Sequence, residues 1–380
     1  MTRPERRPVL IVNPSPDVYG ADLQMLETVV ALVEQGRRVV VALPAEGPLV
    51  GRLQSAGAEV YYLDYPVLSK GQANPRALPR LLLRASRSLV RAVRFLRFLR
   101  PTVLLVNTVT LPWWLLAGRL AGVPTLGYLH EAETESRRVV RRALIAPLRL
   151  AAGVIVISRA AFAAMVDVEP ALAERAQLIY NGVPQPPDEP EPASSQSPHR
   201  FVVVGRLSPR KAPDVALEAV AILASRGIDV QLEVAGTTFP GYEWYEDQLR
   251  ERAARPDLSG RVTFSGYSSP IWPVLARNAF VLAPSLREPF GNAVVEAQLS
   301  RRPVVAAASQ GHLESVSDDE TGLLVEAGNA EQMAEAMLRL VQEPATAGRL
   351  AERGRLEAVR RFSVARYRRE IVELVDRFSS

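Results

Sequence analysis

Short runs of aliphatic and β-branched residues alternate with longer amphipathic segments along almost the whole chain of 380 residues. Runs of this kind, when helical periodicity follows them, are typical of parallel strands joined by crossover helices. They occupy residues 9–12, 38–42, 59–63, 103–106, 125–128, 154–157, 201–204, 231–234, 262–264, 280–283 and 303–306. The pattern therefore predicts an α/β fold with parallel, doubly wound sheets.

Six prolines between residues 184 and 198 divide this pattern into two halves of similar size. Proline at this density interrupts helices and sheet interiors, so we interpret the segment as a linker. We expect a Rossmann-like domain at residues 1–183, the linker at 184–199, a second Rossmann-like domain at 200–362, and a helix at 363–380 that is able to cross back to the first domain. The expected ligand site is a cleft between the two domains.

The composition argues against a metal site. The chain has no cysteine, which excludes disulfides and thiolate-bound metals, and its three histidines lack the spacing of zinc ligands. Acidic groups at residues 167–169 and 318–320 fall where turns or helix ends are expected. We therefore expect neither a metal nor another cofactor.

Two other classes of protein are disfavoured. A dehydrogenase needs a G-x-G-x-x-G turn after a strand, and neither residues 9–20 nor residues 202–210 contain one. No apolar stretch is long enough for a signal peptide or a spanning helix. We therefore expect a cytoplasmic protein rather than an exported two-lobed binding protein.

A cationic segment follows the run at residues 201–204. Gly205 permits a tight turn, and Arg206 and Lys211 then project from the loop and the start of the next helix. Two cations beside a helix N-terminus suit a diphosphate, because the helix dipole and free amides there also attract an anion. The alternative is that both are ordinary surface or helix-flanking charges.

Two glutamates follow the run at residues 280–283. Seven residues separate Glu288 from Glu296, and a helix is expected to begin near Asn292, so Glu288 lies in a loop and Glu296 one turn into the helix. Carboxylates are strong acceptors for sugar and ribose hydroxyls. A solvated helix residue is the alternative for Glu296, but its apolar neighbours favour a pocket.

The glycine-arginine-leucine…lysine stretch of residues 205–211 and the Glu-x7-Glu element of residues 288–296 together resemble the retaining GT-B glycosyltransferases of family 4. Shorter matches occur in family order at residues 19–22, 130–131, 156–158, 181–183, 311–314 and 321–324. The resemblance implies a GT-B fold, in which two Rossmann-like domains face each other across a cleft. It also implies transfer of a sugar from a nucleotide-sugar donor without a metal ion.

The resemblance further implies roles for five polar residues. Arg206 and Lys211 would neutralise the donor diphosphate in place of a divalent cation. Glu288 would hold hydroxyls of the transferred sugar, and Glu296 would hold the ribose. His130 would lie near the reacting sugar and the acceptor. His130, Glu288, Arg206 and Lys211 are therefore the expected catalytic residues.

By the same resemblance, backbone groups complete the donor site. The backbone of Phe290, Gly291 and Asn292 would contact the sugar or the distal phosphate. Gly20 and Gly205 would let their loops approach the diphosphate closely.

This sequence departs from the family's usual glycines and small residues at several positions, which hold Tyr19, Ala212, the pair Arg301-Arg302, and Gln310. None of these positions belongs to the charged residues of the motif. We therefore expect divergence in detail rather than loss of activity.

Basic residues are concentrated in the first half, where residues 1–180 have a net charge of +9 against −4 for residues 181–380. From Arg76 to Arg100 the sequence holds eight arginines and no acidic residue, and residues 137–142 hold four more. A solvated helix face is the alternative, but such a face usually carries both signs. We expect this face to bind an anionic membrane surface. Nucleic acid is not expected, because no aromatic stacking surface accompanies the arginines.

The expected function is retaining transfer from a UDP- or GDP-sugar to a saccharide, a lipid-linked acceptor or a small molecule, in cell-envelope polysaccharide or glycolipid synthesis. The protein would be cytoplasmic, with peripheral attachment to the inner face of the cell membrane. The alternative is a nucleotide-sugar epimerase or hydrolase on the same scaffold.

Overall fold

The computed structural model describes residues 7–18, 20–68, 78–191 and 199–379, without the side chains of residues 78–82. Tyr19, Arg76 and the end of the proline-rich segment lie outside these ranges. The chain divides into two compact units, Met1–Gly182 with Val364–Ser380, and Val183–Ser363. Each unit is built on one parallel sheet, which confirms the predicted α/β fold.

The first unit has seven strands in the order β3-β2-β1-β4-β5-β6-β7. They are β1 (Val9–Val12), β2 (Val39–Leu43), β3 (Glu59–Tyr62), β4 (Val103–Val106), β5 (Thr125–Leu129), β6 (Gly153–Val156) and β7 (Ala176–Leu178). The helices between them are α1 (Gly20–Glu34), α2 (Pro48–Ser55), α3 (Leu78–Leu99), α4 (Pro112–Ala121), α5 (Arg138–Ile145) and α6 (Arg159–Val168), with 3₁₀ helices at Ala146–Leu150 and Pro170–Arg175. The strand order reverses between β1 and β4, where ligands of such sheets bind.

The second unit has six strands in the order β10-β9-β8-β11-β12-β13. They are β8 (Arg200–Val204), β9 (Gln231–Ala235), β10 (Val262–Phe264), β11 (Phe280–Ala283), β12 (Val304–Ala307) and β13 (Leu323–Val325). The helices are α7 (Pro213–Ser225), α8 (Glu243–Ala253), α9 (Trp272–Ala276), α10 (Asn292–Leu299), α11 (His312–Ser315), α12 (Ala330–Gln342) and α13 (Pro344–Phe362). Here the order reverses between β8 and β11.

The last helix, α14 (Val364–Phe378), belongs to the first unit and packs on α1. Tyr367 of α14 is fully buried, and its hydroxyl forms a hydrogen bond with that of Thr28, 2.5 Å away. Arg368 forms ion pairs with Glu27 at 2.7 Å and Glu34 at 2.9 Å. The first unit is therefore completed by residues from the far end of the sequence.

Each of the eleven strands predicted from the sequence is present, with bounds within one residue of the prediction. Two further strands, β7 and β13, were missed. Both are three residues long and lie at the edges of their sheets. So short a run carries too little periodicity to be distinguished from a loop.

The prediction that α3 presents a face with only positive charge needs a correction. Asp64, from the loop after β3, forms ion pairs with Arg84 at 3.1 Å and Arg91 at 3.4 Å. Both arginines remain exposed, so the pairs neutralise only part of the face.

Within the described ranges, every helix is too short or too polar to cross a bilayer.

Candidate functional site

Two loops meet at the point where the strand order of the second sheet reverses. The first joins β8 to α7, and the second joins β11 to α10. The backbone N–H of Leu286 donates to the carbonyl oxygen of Arg210 at 2.9 Å, and the guanidinium of Arg210 donates to the carbonyl oxygen of Arg287 at 2.6 Å. These bonds hold together two segments that are almost 80 residues apart in sequence.

Lys211 and Glu288 form an ion pair across these two loops. Glu288 is 9% exposed, and the hydroxyl of Ser285 also donates to its Oε2, at 3.3 Å. Burial favours a raised pKa for Glu288, but the positive charge of Lys211, with contributions from His312, brings the pKa below its usual value. The pair thus presents an ionised carboxylate and an ammonium group in a largely desolvated setting.

Glu296 lies in α10, one turn after its first residue, as the spacing predicts. It is partly buried, and burial raises its pKa to about 7, while the positive charge of Lys211 acts in the opposite direction. Lys211 therefore acts electrostatically on both glutamates of the Glu-x7-Glu element.

Arg206 is held against the loop that follows β9. Its guanidinium carbon lies 3.4 Å from the ring centroid of Phe239, a cation–π contact. Gly205 has φ of 139°, a conformation that L side chains rarely adopt, and its N–H donates to the carbonyl oxygen of Ala235 at 3.0 Å. The turn at Gly205 therefore sets the direction in which Arg206 leaves the sheet.

A pocket opens between the two loops, at the carboxyl ends of β8 and β11. Its lining combines backbone and apolar groups with the charged residues described above. The lining residues are Val203, Val204, Gly205, Arg206, Leu207, Lys211, Pro213, Ala283, Pro284, Ser285, Glu288, Gly291, Ala293 and His312.

Gly291 and His312 form one wall of this pocket. Gly291 has φ of 98°, and a Cβ atom there would lie 2.9 Å from Cδ2 of His312. His312 is 1% exposed, and its Nδ1 donates to the carbonyl oxygen of Ala307 at 3.0 Å. His312 was not among the site residues predicted from the sequence, although residues 311–314 match the family pattern and are the signal that could have indicated it.

The segment from Phe290 to Asn292 leads from the second loop into α10. The Phe290 side chain is buried and packs edge-on against Phe362, with ring centroids 5.3 Å apart. Asn292 is the first residue of α10.

The other two predicted site residues belong to the first unit. Gly20 is exposed and begins α1. His130 follows β5, stacks on Tyr128 with ring centroids 4.2 Å apart, and contacts Asn107 through Nε2 at 2.9 Å. Burial lowers the pKa of His130 to about 4, so its imidazole is neutral at physiological pH.

Among the described residues, no three histidines or acidic residues come together as metal ligands would. The acidic groups noted in the sequence face arginines. Asp167 pairs with Arg141 at 2.8 Å, and Asp319 pairs with Arg339 and Arg349 at 3.0 Å each.

Three residues at positions where the family usually has glycine or another small residue adopt left-handed backbone conformations. Ala212, Arg301 and Gln310 have φ of 50°, 53° and 41°. Ala212 lies immediately before α7 and next to Lys211. The chain therefore keeps a backbone that suits glycine while carrying side chains at these positions.

Two family models match this chain. The model of glycosyl transferases group 1 matches residues 185–357, and that of glycosyltransferase family 4 matches residues 18–185. Together they span most of the sequence.

The curated relatives match over shorter segments. A D-inositol 3-phosphate glycosyltransferase of Rhodococcus jostii is 39% identical over 152 residues, which are 39% of this chain and 33% of that protein. The lipopolysaccharide core biosynthesis glycosyltransferase LpsE of Rhizobium meliloti is 36% identical over 160 residues, which are 42% of this chain and 44% of that protein. The chain thus aligns with less than half the length of either relative.

Solved structures match over nearly the full chain. Alr3699/HepE of Anabaena, in complex with UDP-glucose, is 23% identical, with a TM-score of 0.79 over 97% of this chain and 99% of that chain. Sucrose-phosphate synthase of Thermosynechococcus elongatus is 21% identical, with a TM-score of 0.75 over 98% and 99%. These similarities show a shared fold.

Proposed function

Because the chain belongs to the family 4 GT-B glycosyltransferases, we propose that it transfers a sugar from a nucleoside-diphosphate sugar to a hydroxyl group of an acceptor. The observation that supports this proposal most directly is the pocket at the strand-order reversal of the second sheet. It combines two cations with a buried carboxylate in one small volume. Cations suit a diphosphate, and carboxylates suit sugar hydroxyls.

In this proposal Arg206 and Lys211 bind the diphosphate, and the N-terminus of α7 adds to the positive potential. The helix begins at Pro213, and its dipole places partial positive charge at that end. As the donor breaks, negative charge grows on the departing diphosphate, and fixed cations stabilise that charge. A divalent cation is then not needed, and turnover is expected to persist in excess EDTA.

The transfer is proposed to retain the anomeric configuration. The bond between the anomeric carbon and the diphosphate oxygen breaks while the acceptor oxygen bonds to the same face of that carbon. The acceptor proton passes to the departing phosphate oxygen. Glu288 binds sugar hydroxyls in this scheme and forms no bond to the anomeric carbon, so trapping a glycosyl adduct on Glu288 would contradict it.

The donor is proposed to be a UDP- or GDP-sugar, and a UDP-sugar has the support of the Anabaena structure, which holds UDP-glucose. Thermal-shift measurements with UDP, GDP, ADP and dTDP sugars test this proposal. Stabilisation by one nucleotide class is expected, and no shift with any of them would contradict it.

The acceptor is proposed to be a saccharide, a lipid-linked precursor or a small polyol of the cell envelope. Relatives that act on inositol phosphate and on lipopolysaccharide core support this range. The same relatives favour transfer over the alternative of an epimerase or hydrolase. Mass detection of a new glycoside, as against an isomerised or free sugar, separates these activities.

We retain the proposal of a membrane-binding face on the first unit, with α3 as its main element. This helix carries exposed apolar side chains in addition to its exposed arginines. Leu83, Val90 and Phe98 are 52%, 51% and 78% exposed. Arginines beside exposed apolar groups suit the interface of an anionic bilayer. A cytoplasmic enzyme that attaches in this way would meet lipid-linked acceptors at the inner leaflet.

Co-sedimentation with vesicles tests this face. Binding should rise with the content of phosphatidylglycerol and should fall in the double variant Arg87→Glu/Arg94→Glu. The control Arg226→Glu, in the second unit, should bind as the wild type does. Binding that does not depend on anionic lipid would contradict the proposal.

A further inference from the structure

A chain of buried and partly buried polar side chains crosses the carboxyl edge of the first sheet. Asn13 follows β1, Asn107 follows β4 and His130 follows β5, and these strands are neighbours in the sheet. The chain of side chains also includes Asp22, in the first turn of α1. Asn13, Asn107 and Asp22 are 0%, 3% and 5% exposed, and buried polar groups of this kind need hydrogen-bond partners within the protein.

The hydrogen bonds form a continuous series. Nδ2 of Asn13 lies 2.7 Å from Oδ1 of Asp22, and Nδ2 of Asn107 lies 2.7 Å from Oδ1 of Asn13. Nε2 of His130 lies 2.9 Å from Oδ1 of Asn107. No link exceeds 3 Å.

The chemistry at one end of the series fixes the direction of every bond in it. The carbonyl oxygen of Ser15, 2.7 Å from Nδ2 of Asn13, can only accept, and the carboxylate of Asp22 accepts as well. The Nδ2 atom of Asn13 must therefore face these two acceptors, which leaves Oδ1 of Asn13 to accept the hydrogen bond from Asn107.

The same reasoning carries the direction to the imidazole. Asn107 donates through Nδ2, so its Oδ1 accepts, and the hydrogen of that last bond must be on Nε2 of His130. In a neutral imidazole only one nitrogen carries hydrogen, so Nδ1 is left with a lone pair.

We propose that Asp22, Asn13 and Asn107 are positioning residues that hold His130 in the Nε2–H tautomer, so that Nδ1 accepts a hydrogen bond from a saccharide hydroxyl. The saccharide part rests on the proposed function, whereas the tautomer rests on the hydrogen-bond series alone. Stacking on Tyr128 fixes the plane of the ring. His130 then acts as an oriented neutral acceptor rather than as a cation or an acid.

The other two histidines provide an internal contrast. Nδ1 of His199 lies 2.7 Å from the carbonyl oxygen of Asp229, and Nδ1 of His312 lies 3.0 Å from that of Ala307. A carbonyl oxygen only accepts, so both rings carry hydrogen on Nδ1. The protein should therefore show one Nε2–H histidine and two Nδ1–H histidines.

NMR of the full chain labelled with ¹⁵N-histidine tests this pattern, because protonated and unprotonated ring nitrogens have well-separated ¹⁵N resonances. With three histidines in the sequence, the variant His130→Gln assigns its own signals by their loss. The expected result at pH 7.5 is an Nε2–H tautomer for His130. An Nδ1–H tautomer or an imidazolium at His130 in the wild type would overturn the proposal.

Two variants at one position test the positioning role. Asn107→Asp keeps an acceptor for Nε2–H, and His130 should keep its hydrogen on Nε2. Asn107→Leu removes the acceptor, so the Nδ1–H form should become populated and kcat/KM should fall about 10-fold to 100-fold, with nucleotide binding unchanged. An unaltered tautomer in Asn107→Leu would overturn the role of the series.

The outcome also separates this inference from the proposed function. If the three histidines show the expected tautomers but no donor yields a glycoside, the saccharide part of the inference and the proposed function both fail. The positioning of His130 by the hydrogen-bond series then still stands.

Discussion

Lys211 and Glu288 form an ion pair that joins the loop after β8 to the loop after β11. The two residues come from the two motifs that carried the family resemblance, and the structure brings them into direct contact. Their side chains are 21% and 11% exposed, so the pair is more protected from solvent than an ordinary surface ion pair. Each charge is therefore important both for the local fold and for any anion that enters the pocket.

Lys211→Ala is expected to reduce kcat by at least about 100-fold, because a fixed cation near the departing diphosphate is lost. Arg206→Ala should have a similar effect for the same reason. Steady-state turnover with circular dichroism as a check on folding measures both. Arg226→Ala is the control, because Arg226 forms a more exposed pair with Glu335, and it should retain wild-type turnover. Near-normal turnover of either site variant would refute the assignment.

Glu296 is expected to make stability depend on pH. Its pKa in the folded protein is raised to about 7, from 4.5, so the folded state binds the proton more tightly than the unfolded state does. This contribution is fully present below about pH 4.5 and is lost as the pH rises through 7, with a total of at most about 3 kcal/mol. Urea unfolding of the wild type and Glu296→Gln between pH 5 and 8 measures it. The variant should lose this part of the pH dependence, and identical pH profiles would contradict the raised pKa.

Gly291→Ala should destabilise the protein more than Gly227→Ala does. Both glycines have positive φ, 98° and 76°, so both substitutions strain the backbone. Only at Gly291 would the new Cβ meet a close neighbour, His312, since nothing lies within 4 Å of the Cβ position at Gly227. The extra cost should be about 1 kcal/mol or more in chemical unfolding, with weaker nucleotide-sugar binding. Equal losses of unfolding free energy in the two variants would show that the side chain of His312 moves aside freely.

Ala212→Gly is expected to stabilise the protein by up to about 1 kcal/mol. Left-handed backbone costs alanine about 1–2 kcal/mol, which exceeds the entropy that the added glycine loses on folding. Ala336→Gly, in the interior of α12, is the control and should cost about 1 kcal/mol. Thermal unfolding of both variants measures the difference. A loss of stability at position 212 as large as that at 336 would contradict the interpretation.

Much of the fold could be predicted from the sequence, because parallel strands that are buried on both faces give strong local signals. The placement of Glu288 in a loop and Glu296 one turn into a helix also followed from spacing alone. These features depend on short stretches of sequence, where periodicity and turn residues are informative.

Features that depend on distant contacts were not predictable. Asp64 lies 20 residues or more from the arginines that it contacts, and no local pattern indicates that pairing. The same holds for the series from Asp22 to His130, which joins three strands. Asn13 and Asn107 are unremarkable in sequence and become informative only when their strands are neighbours.

The return of α14 to the first unit has a consequence for biosynthesis. A ribosome releases residues 364–378 only after the whole second unit has been made, so the first unit cannot bind α14 until the second unit has been translated. Until then, α14 does not cover the surface of α1 that Tyr367 contacts. A fragment that ends at Gly182 should therefore expose apolar surface and aggregate, and any domain exchange has to move the final helix together with the first 182 residues.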